Sequence, residues 1–152
     1  MTPALIRASV VTERMAWVRQ MVAMVRSLPM ESFDVFTKDP RNAGAAESYI
    51  RRSIEALLDI GRHILAKGFA IAVSEYKEIG PRLVDQGVLS PEDGLLVRQI
   101  AGYRNRMVHF YNEVTTQELY SITTENINDV ERICDAMAQW LSEHPEKVDH
   151  EI

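Results

Sequence analysis

Hydrophobic residues recur every three or four positions along most of this chain, which restricts it to helices that each bury one apolar face. One such face runs over residues 5–25, and a second covers roughly residues 44–67, where Gly61 predicts a close approach to another helix. A third covers about residues 91–111. The fourth places six residues inward: Ile127, Val130, Ile133, Cys134, Met137 and Leu141. The pattern predicts an all-α fold, an antiparallel four-helix bundle with one or two short additional helices.

Residues that cap or break helices divide these segments. Residues 29–42 contain two prolines and are typical of a loop, and a short helix near residues 76–85 is interrupted by Gly80-Pro81. N-terminal caps are expected at Ser90, Thr115 and Asn126. No segment has a convincing strand pattern. The acidic tail over residues 144–152 is expected to fray.

A length of 152 residues suits a single helical domain over residues 1–152. The net charge is −5, but residues 41–110 hold ten Lys/Arg against eight Asp/Glu, which permits phosphate binding without demanding it. No apolar run is long enough to span a bilayer, and no signal-peptide pattern is present. With Cys134 as the only cysteine, the sequence predicts a cytoplasmic protein with no membrane partner.

Eight residues near the end of the third helix, Arg104 to Tyr111, combine side chains that suit phosphate chemistry. Arginine grips phosphate through its forked donors, and histidine is the side chain whose ordinary pKa lies near neutral. Arg104 and His109 are therefore the candidate catalytic residues. Asn105 and Arg106 are candidate supporting residues.

Each of these side chains also has an ordinary structural explanation. Arg104 could pair with an acid such as Glu92 or Glu113, and Arg98 and Arg106 could be surface residues rather than phosphate contacts. Nothing in the sequence favours a metal site, because the remaining histidines are not spaced from other ligand residues in the way that metal sites require.

Helical geometry limits how Arg104 and His109 can cooperate. Five residues at about 100° each separate their directions by roughly 140°, so within one regular helix they cannot easily grip the same atom. Either the helix distorts near Gly102 or beyond Val108, or two chains contribute to one cleft in a homodimer. Asn105 lies four residues before His109 and could orient its imidazole.

The octet resembles the signature of the HEPN superfamily of ribonucleases, most closely its HepT toxin branch. Residues 53–64 and 87–91 are also similar to that family at the matching places. The resemblance implies a HEPN-like helical domain and a metal-independent endoribonuclease with no cofactor. His109 would act as general acid or base and Arg104 would stabilise charge at the scissile phosphate.

The same resemblance implies partners and regulation. The chain would be the toxin of a toxin–antitoxin pair, a homodimer that cuts RNA and is silenced by a nucleotidyltransferase antitoxin. The antitoxin would attach adenylate to Tyr111, which is the modification site in this interpretation. Two alternatives stay open: a non-catalytic nucleotide- or substrate-binding partner of a minimal nucleotidyltransferase, and a helical scaffold.

Overall fold

The computed structural model describes residues 4–110 and 113–150, and within them the chain is mostly helical. The α-helices in these residues are α1 (Ala8–Arg26), α2 (Phe33–Lys38), α3 (Arg41–His63), α4 (Ile79–Asp85), α5 (Pro91–His109), α6 (Thr116–Ser121) and α7 (Ile127–Glu143). Two short strands, β1 (Ile6–Arg7) and β2 (Val148–Asp149), pair in parallel. The predicted all-α class is confirmed, with this two-residue pairing as a minor addition.

The long helices pack through the faces that the periodicity predicts. α1 lies along α3, and α7 contacts α1, α3 and α5. On α1 the buried positions include Val18, Val22 and Val25, which recur every three or four residues. Burying each large aliphatic side chain contributes about 1.5–3 kcal/mol, so these shared faces stabilise the packing of the long helices.

α4 is held close to both of its neighbours by glycines. A Cβ atom added to Gly61 of α3 would lie 2.7 Å from Ile79 Cγ2, which confirms the predicted close approach. A Cβ atom on Gly80 would lie 2.5 Å from the backbone oxygen of Gly94 on α5. The predicted interruption at Gly80-Pro81 is wrong, because Pro81 falls in the first turn of α4, where its missing N–H costs nothing.

Two helix boundaries also differ from the sequence-based expectation. The predicted loop over residues 29–42 contains α2, whose first turn is capped when Ser32 accepts a hydrogen bond from the Val35 amide. Asn126 does not cap α7. The segment Ile122–Asn126 forms a π-helical turn that joins α6 to α7, so the backbone at Asn126 is already helical.

The described part of the tail, residues 144–150, is attached to the strand near the start of the chain, so the predicted fraying from His144 is wrong for these residues. After a 3₁₀ turn over Pro145–Lys147, β2 pairs with β1, and Ile6 in β1 is fully buried. The Lys147 ammonium lies 4.5 Å from the centre of the Phe69 ring. These contacts hold the described part of the tail against the rest of the protein, although its acidic composition led us to expect fraying.

A helix that crosses a lipid bilayer needs about 20 predominantly apolar residues. None of the helices within residues 4–110 and 113–150 combines the length and the hydrophobicity that a crossing would require.

Candidate functional site

An open cleft of about 610 Å³ lies where the end of α5 meets the end of α3 and the 3₁₀ turn Tyr76–Glu78. It includes three of the four described candidate residues from the octet: Arg104, Asn105 and His109. A second cleft of about 620 Å³ lies between α1 and α3, and none of the described octet residues lines it. We regard the first cleft as the candidate site because it holds the side chains suited to phosphate chemistry.

Arg104 lines this cleft and lies in contact with a carboxylate and an amide. Its Nε lies 3.5 Å from Glu55 Oε1 of α3, and its Nη1 donates to the Asn105 side-chain oxygen at 3.3 Å. Neither Glu92 nor Glu113, the acids considered from the sequence, is its partner among these contacts. Neither contact uses Nη2, and the side chain is 21% exposed, so the guanidinium is oriented but retains a donor for a ligand.

The ring of Tyr76 makes cation–π contacts with two arginines. The guanidinium carbons of Arg104 and Arg62 lie 4.9 and 4.7 Å from the centre of its ring. Its hydroxyl donates to Asp59 Oδ1 at 3.2 Å, so the ring is anchored to α3. Burial, and then the nearby Asp59 carboxylate, raise the pKa of the Tyr76 phenol, which stays a neutral donor. The ring therefore holds two cations close to each other.

His109 is the last residue of α5 and its side chain is exposed. The backbone leaves the helix at Phe110, where φ is −132° and ψ is 43°. α5 runs without interruption from Pro91 to His109, so the distortion considered near Gly102 is absent from this helix. One chain nevertheless places both Arg104 and His109 on the wall of the same cleft, because the cleft surrounds the end of the helix.

Asn105 supports the arginine rather than the histidine. Within the described residues its side-chain oxygen accepts from Arg104, and no hydrogen bond joins it to His109. The expectation that Asn105 orients the imidazole is therefore not met in this conformation, and its contact with Arg104 replaces it.

Arg106 lies outside the cleft wall. It pairs with Glu118 of α6, with Nη2 donating to Oε2 at 2.9 Å, and it also donates to the backbone oxygen of Glu113 at 3.4 Å. The hydrogen bond to Glu118 raises the pKa of the Arg106 guanidinium further above its ordinary value. Arg106 thus ties the end of α5 to α6, and Arg98, which is exposed on α5, does not line the cleft either.

Tyr111, the expected modification site, lies outside the described residues. The sequence also did not identify Arg62, Tyr76 and Lys77, which complete the cleft from elements far away along the chain. Arg62 belongs to a helix face that looks like an ordinary solvated surface, and only packing brings the turn around Tyr76 against α5. Among the described residues, no group of three or more His, Cys, Asp or Glu side chains is placed to hold a metal ion.

Comparison with solved structures identifies the fold. The structure is similar to that of the tri-AMPylated HEPN toxin of Shewanella oneidensis in complex with MNT antitoxin, with a TM-score of 0.77 and 16% identity, over 86% of this chain and 97% of that one. It is also similar to YutE, a cytosolic protein of unknown function from Bacillus subtilis, with a TM-score of 0.76 and 18% identity, over 93% and 94% of the two chains. At such identities the likeness shows the fold alone.

Sequence comparison identifies the family. No curated protein matches the chain. A family model described as ribonuclease HepT-like matches residues 18–137, which include α3, α4, α5 and all the cleft residues. Because this match spans most of the chain, the protein belongs to the ribonuclease HepT-like family.

Proposed function

We propose that this protein is a metal-independent endoribonuclease and the toxin of a toxin–antitoxin pair. The observation that carries the proposal is the cleft that both an oriented arginine, Arg104, and an exposed histidine, His109, line. Membership of the HepT-like family supports the same activity. Arginine supplies the donors for a phosphate, and histidine supplies a group that exchanges protons near neutral pH.

In the proposed reaction the RNA supplies its own nucleophile. The 2′-oxygen attacks the adjacent phosphorus, the 2′-hydroxyl proton passes to a base, and the bond from phosphorus to the 5′-oxygen breaks. The leaving 5′-oxygen takes up a proton. The products are a 2′,3′-cyclic phosphate and a free 5′-hydroxyl. Because the nucleophile is held beside its target, much of the barrier is overcome by proximity.

His109 performs one of the two proton transfers in this proposal, as general base or general acid. The attacking 2′-oxygen and the leaving 5′-oxygen lie on opposite sides of the phosphorus in an in-line displacement, so one imidazole is placed to serve only one of them. A homodimer that brings two octets to one cleft supplies the second imidazole. Sedimentation at micromolar concentration tests this expectation, and a stable monomer with full cleavage activity would contradict the shared cleft.

Arg104 stabilises the charge that develops on the phosphate oxygens. Glu55, Asn105 and Tyr76 hold the guanidinium before substrate binds, so little reorganisation is needed as the charge grows. A lysine at position 104 keeps the charge but loses the planar fork. We therefore expect Arg104→Lys to lose on the order of 10²–10³-fold in kcat, as for removal of an oxyanion donor.

The products provide a direct test of the reaction. An RNA oligonucleotide and a copy with a single 2′-deoxy nucleotide at the cleaved step are incubated with the protein in excess chelator, and the ends are identified by mass spectrometry. We expect cyclic phosphate ends from the RNA and no cleavage at the deoxy position. Ends with a 5′-phosphate, or cleavage of the deoxy copy, would contradict 2′-hydroxyl attack.

We further propose that a nucleotidyltransferase antitoxin silences the protein by attaching adenylate to Tyr111. An added phosphodiester two residues after His109 would bring negative charge to a cleft that must bind RNA. The similar toxin structure described as AMPylated and bound to an antitoxin supports this regulation. Intact mass after co-expression with a nucleotidyltransferase should show added adenylate on the native chain and none on Tyr111→Phe. An equal mass gain in both chains would place the modification elsewhere.

A second candidate function is a nucleotide-binding module that cuts nothing. The cleft volume of about 610 Å³ favours it, because it lies within the range of small-molecule sites. On this alternative His109→Ala retains nucleotide affinity and the native chain shows no cleavage, whereas the ribonuclease proposal requires cleavage that is lost in His109→Ala.

A further inference from the structure

Cations outnumber carboxylates among the described residues that line the cleft, although the chain as a whole is acidic and Glu55 and Asp59 lie beside Arg104 and Arg62. The described walls of the cleft contain three cations, Arg62, Lys77 and Arg104, against the single carboxylate of Glu75, whereas the net charge of the chain is −5. The three cations come from three different elements: α3, the 3₁₀ turn and α5. Concave surfaces of one charge sign concentrate the field and attract ligands of the opposite sign.

Arg62 is only weakly paired within the folded chain. Its Nη1 lies 3.9 Å from Asp59 Oδ1, too far for a hydrogen bond. Asp59 already accepts from the Tyr76 hydroxyl and lies 3.5 Å from Arg14. Arg106 provides a useful contrast, because an equally exposed side chain there is engaged by two hydrogen bonds to Glu118. Arg62 is therefore available to an external anion, whereas Arg106 is already paired with Glu118.

Contact with the Tyr76 ring limits the distance between the guanidinium groups of Arg62 and Arg104. Because their guanidinium carbons lie 4.7 and 4.9 Å from one ring centre, they are at most about 9.6 Å apart. The contact of each cation with the ring also restricts its rotamers before a ligand arrives. One nucleotide step of a single strand can bridge such a spacing, so neighbouring phosphates can reach both arginines.

From this geometry we propose that Arg62 and Lys77 form a second phosphate subsite, next to the one at Arg104. A single-stranded RNA then places one phosphate at Arg104 and His109 and a neighbouring phosphate at Arg62 and Lys77, with Tyr76 in contact with both arginines. This inference rests on the proposed function and adds to it the path of the strand. Arg62 and Lys77 contact a phosphate that is not cleaved, so they determine binding and register rather than the chemistry.

Binding of a non-cleavable strand tests the second subsite. A single-stranded RNA carrying 2′-fluoro groups has no nucleophile, and its dissociation constant is measured over a series of salt concentrations. Removing one protein–phosphate interaction lowers the slope of log affinity against log salt by about 0.7 for a single strand. We expect Arg62→Gln to lower the slope by about 0.7 and to weaken binding roughly tenfold at moderate salt. Lys77→Gln should lower the slope similarly, whereas Arg62→Lys should retain it.

Arg19→Gln is the matched control. Arg19 is a half-exposed arginine on α1 that pairs with Asp135 at 2.8 Å and lies outside the cleft, so its replacement removes the same charge elsewhere. The native slope in Arg62→Gln, or an equal fall in Arg62→Gln and Arg19→Gln, would overturn the second subsite while leaving the ribonuclease proposal intact. Failure of the native chain both to bind and to cut RNA would overturn both. Thermal melting of every variant verifies that each is folded before its slope is interpreted.

Discussion

Replacing Gly80 with alanine tests how closely α4 must approach α5 beside the cleft. The added Cβ would lie 2.5 Å from the Gly94 backbone oxygen and 3.2 Å from Val97 Cβ. Protein Cβ atoms essentially never approach another heavy atom within 3.0 Å, so the two helices must separate by at least about 0.5 Å. The obstructing atom belongs to the backbone and cannot rotate away.

The expected change in the free energy of unfolding of Gly80→Ala combines two opposing effects. Forcing extra volume into a packed contact costs about 1–3 kcal/mol. Alanine gains up to about 1 kcal/mol over glycine from helix propensity, and less in a first turn, where Gly80 lies. We therefore expect Gly80→Ala to lower the free energy of unfolding by about 1–2 kcal/mol. Since α4 follows directly from the turn that carries Tyr76 and Lys77, a shift of α4 should also weaken RNA binding.

Gly44→Ala is the matched control, because a Cβ there meets no atom within 4 Å among the described residues. That variant should be as stable as the native chain or up to about 1 kcal/mol more stable. Urea unfolding at one fixed protein concentration gives both values, with the concentration held constant because self-association would shift the midpoint. Equal midpoints for Gly80→Ala and Gly44→Ala would refute the close packing of α4 on α5.

Three further changes test local parts of the structure. Ser90→Ala removes the side-chain oxygen that accepts from the first turn of α5 and should cost about 1 kcal/mol in urea unfolding, while an unchanged midpoint would argue against the cap. Arg106→Gln breaks the partly exposed pair with Glu118 and should cost about 0.5–1 kcal/mol, with a double replacement costing no more than the single one. His63 accepts from the Arg7 amide, and burial and then nearby cations lower its pKa. Because its folded pKa is below its unfolded value of about 6.5, stability should fall as the pH drops from about 6.5 towards the folded pKa, and His63→Gln should flatten that dependence; identical pH profiles would contradict it.

The parts of the fold that the sequence predicted are those governed by local periodicity. The buried faces of α1, α3 and α7 follow from apolar residues spaced to match the helical turn, which needs no knowledge of the neighbouring elements. The caps at Ser90 and Thr115 were predicted for the same reason, since a cap hydrogen bond spans only three residues.

The parts that the sequence did not predict depend on contacts between distant segments. α2 is a single short helix between prolines, too brief for a periodic signal. The pairing of β1 with β2 joins the two ends of the described chain over only two residues. Asn126 has the chemistry of a cap, but the π-helical turn before it supplies helical backbone in place of a helix start.

The candidate site was predicted only in part for the same reason. Arg104 and His109 lie within one octet, so sequence could pair them, but it could not say which acid holds the arginine. Glu55 does so from a helix nearly fifty residues earlier, and Tyr76 contributes its ring from a turn between the two. The 140° separation of Arg104 and His109 is accommodated because the cleft surrounds the helix end, a feature that only the packed structure supplies.

Cleavage of a structured RNA in excess chelator by the native chain and by His109→Ala tests the central claim most directly. His150→Ala, which changes an exposed histidine outside the cleft, is the control, and intact mass establishes that each chain is unmodified. We expect cleavage by the native chain and by His150→Ala, and a loss on the order of 10²–10⁴-fold in His109→Ala. Cleavage by His109→Ala at the native rate, or no cleavage by the unmodified native chain, would contradict the proposed function.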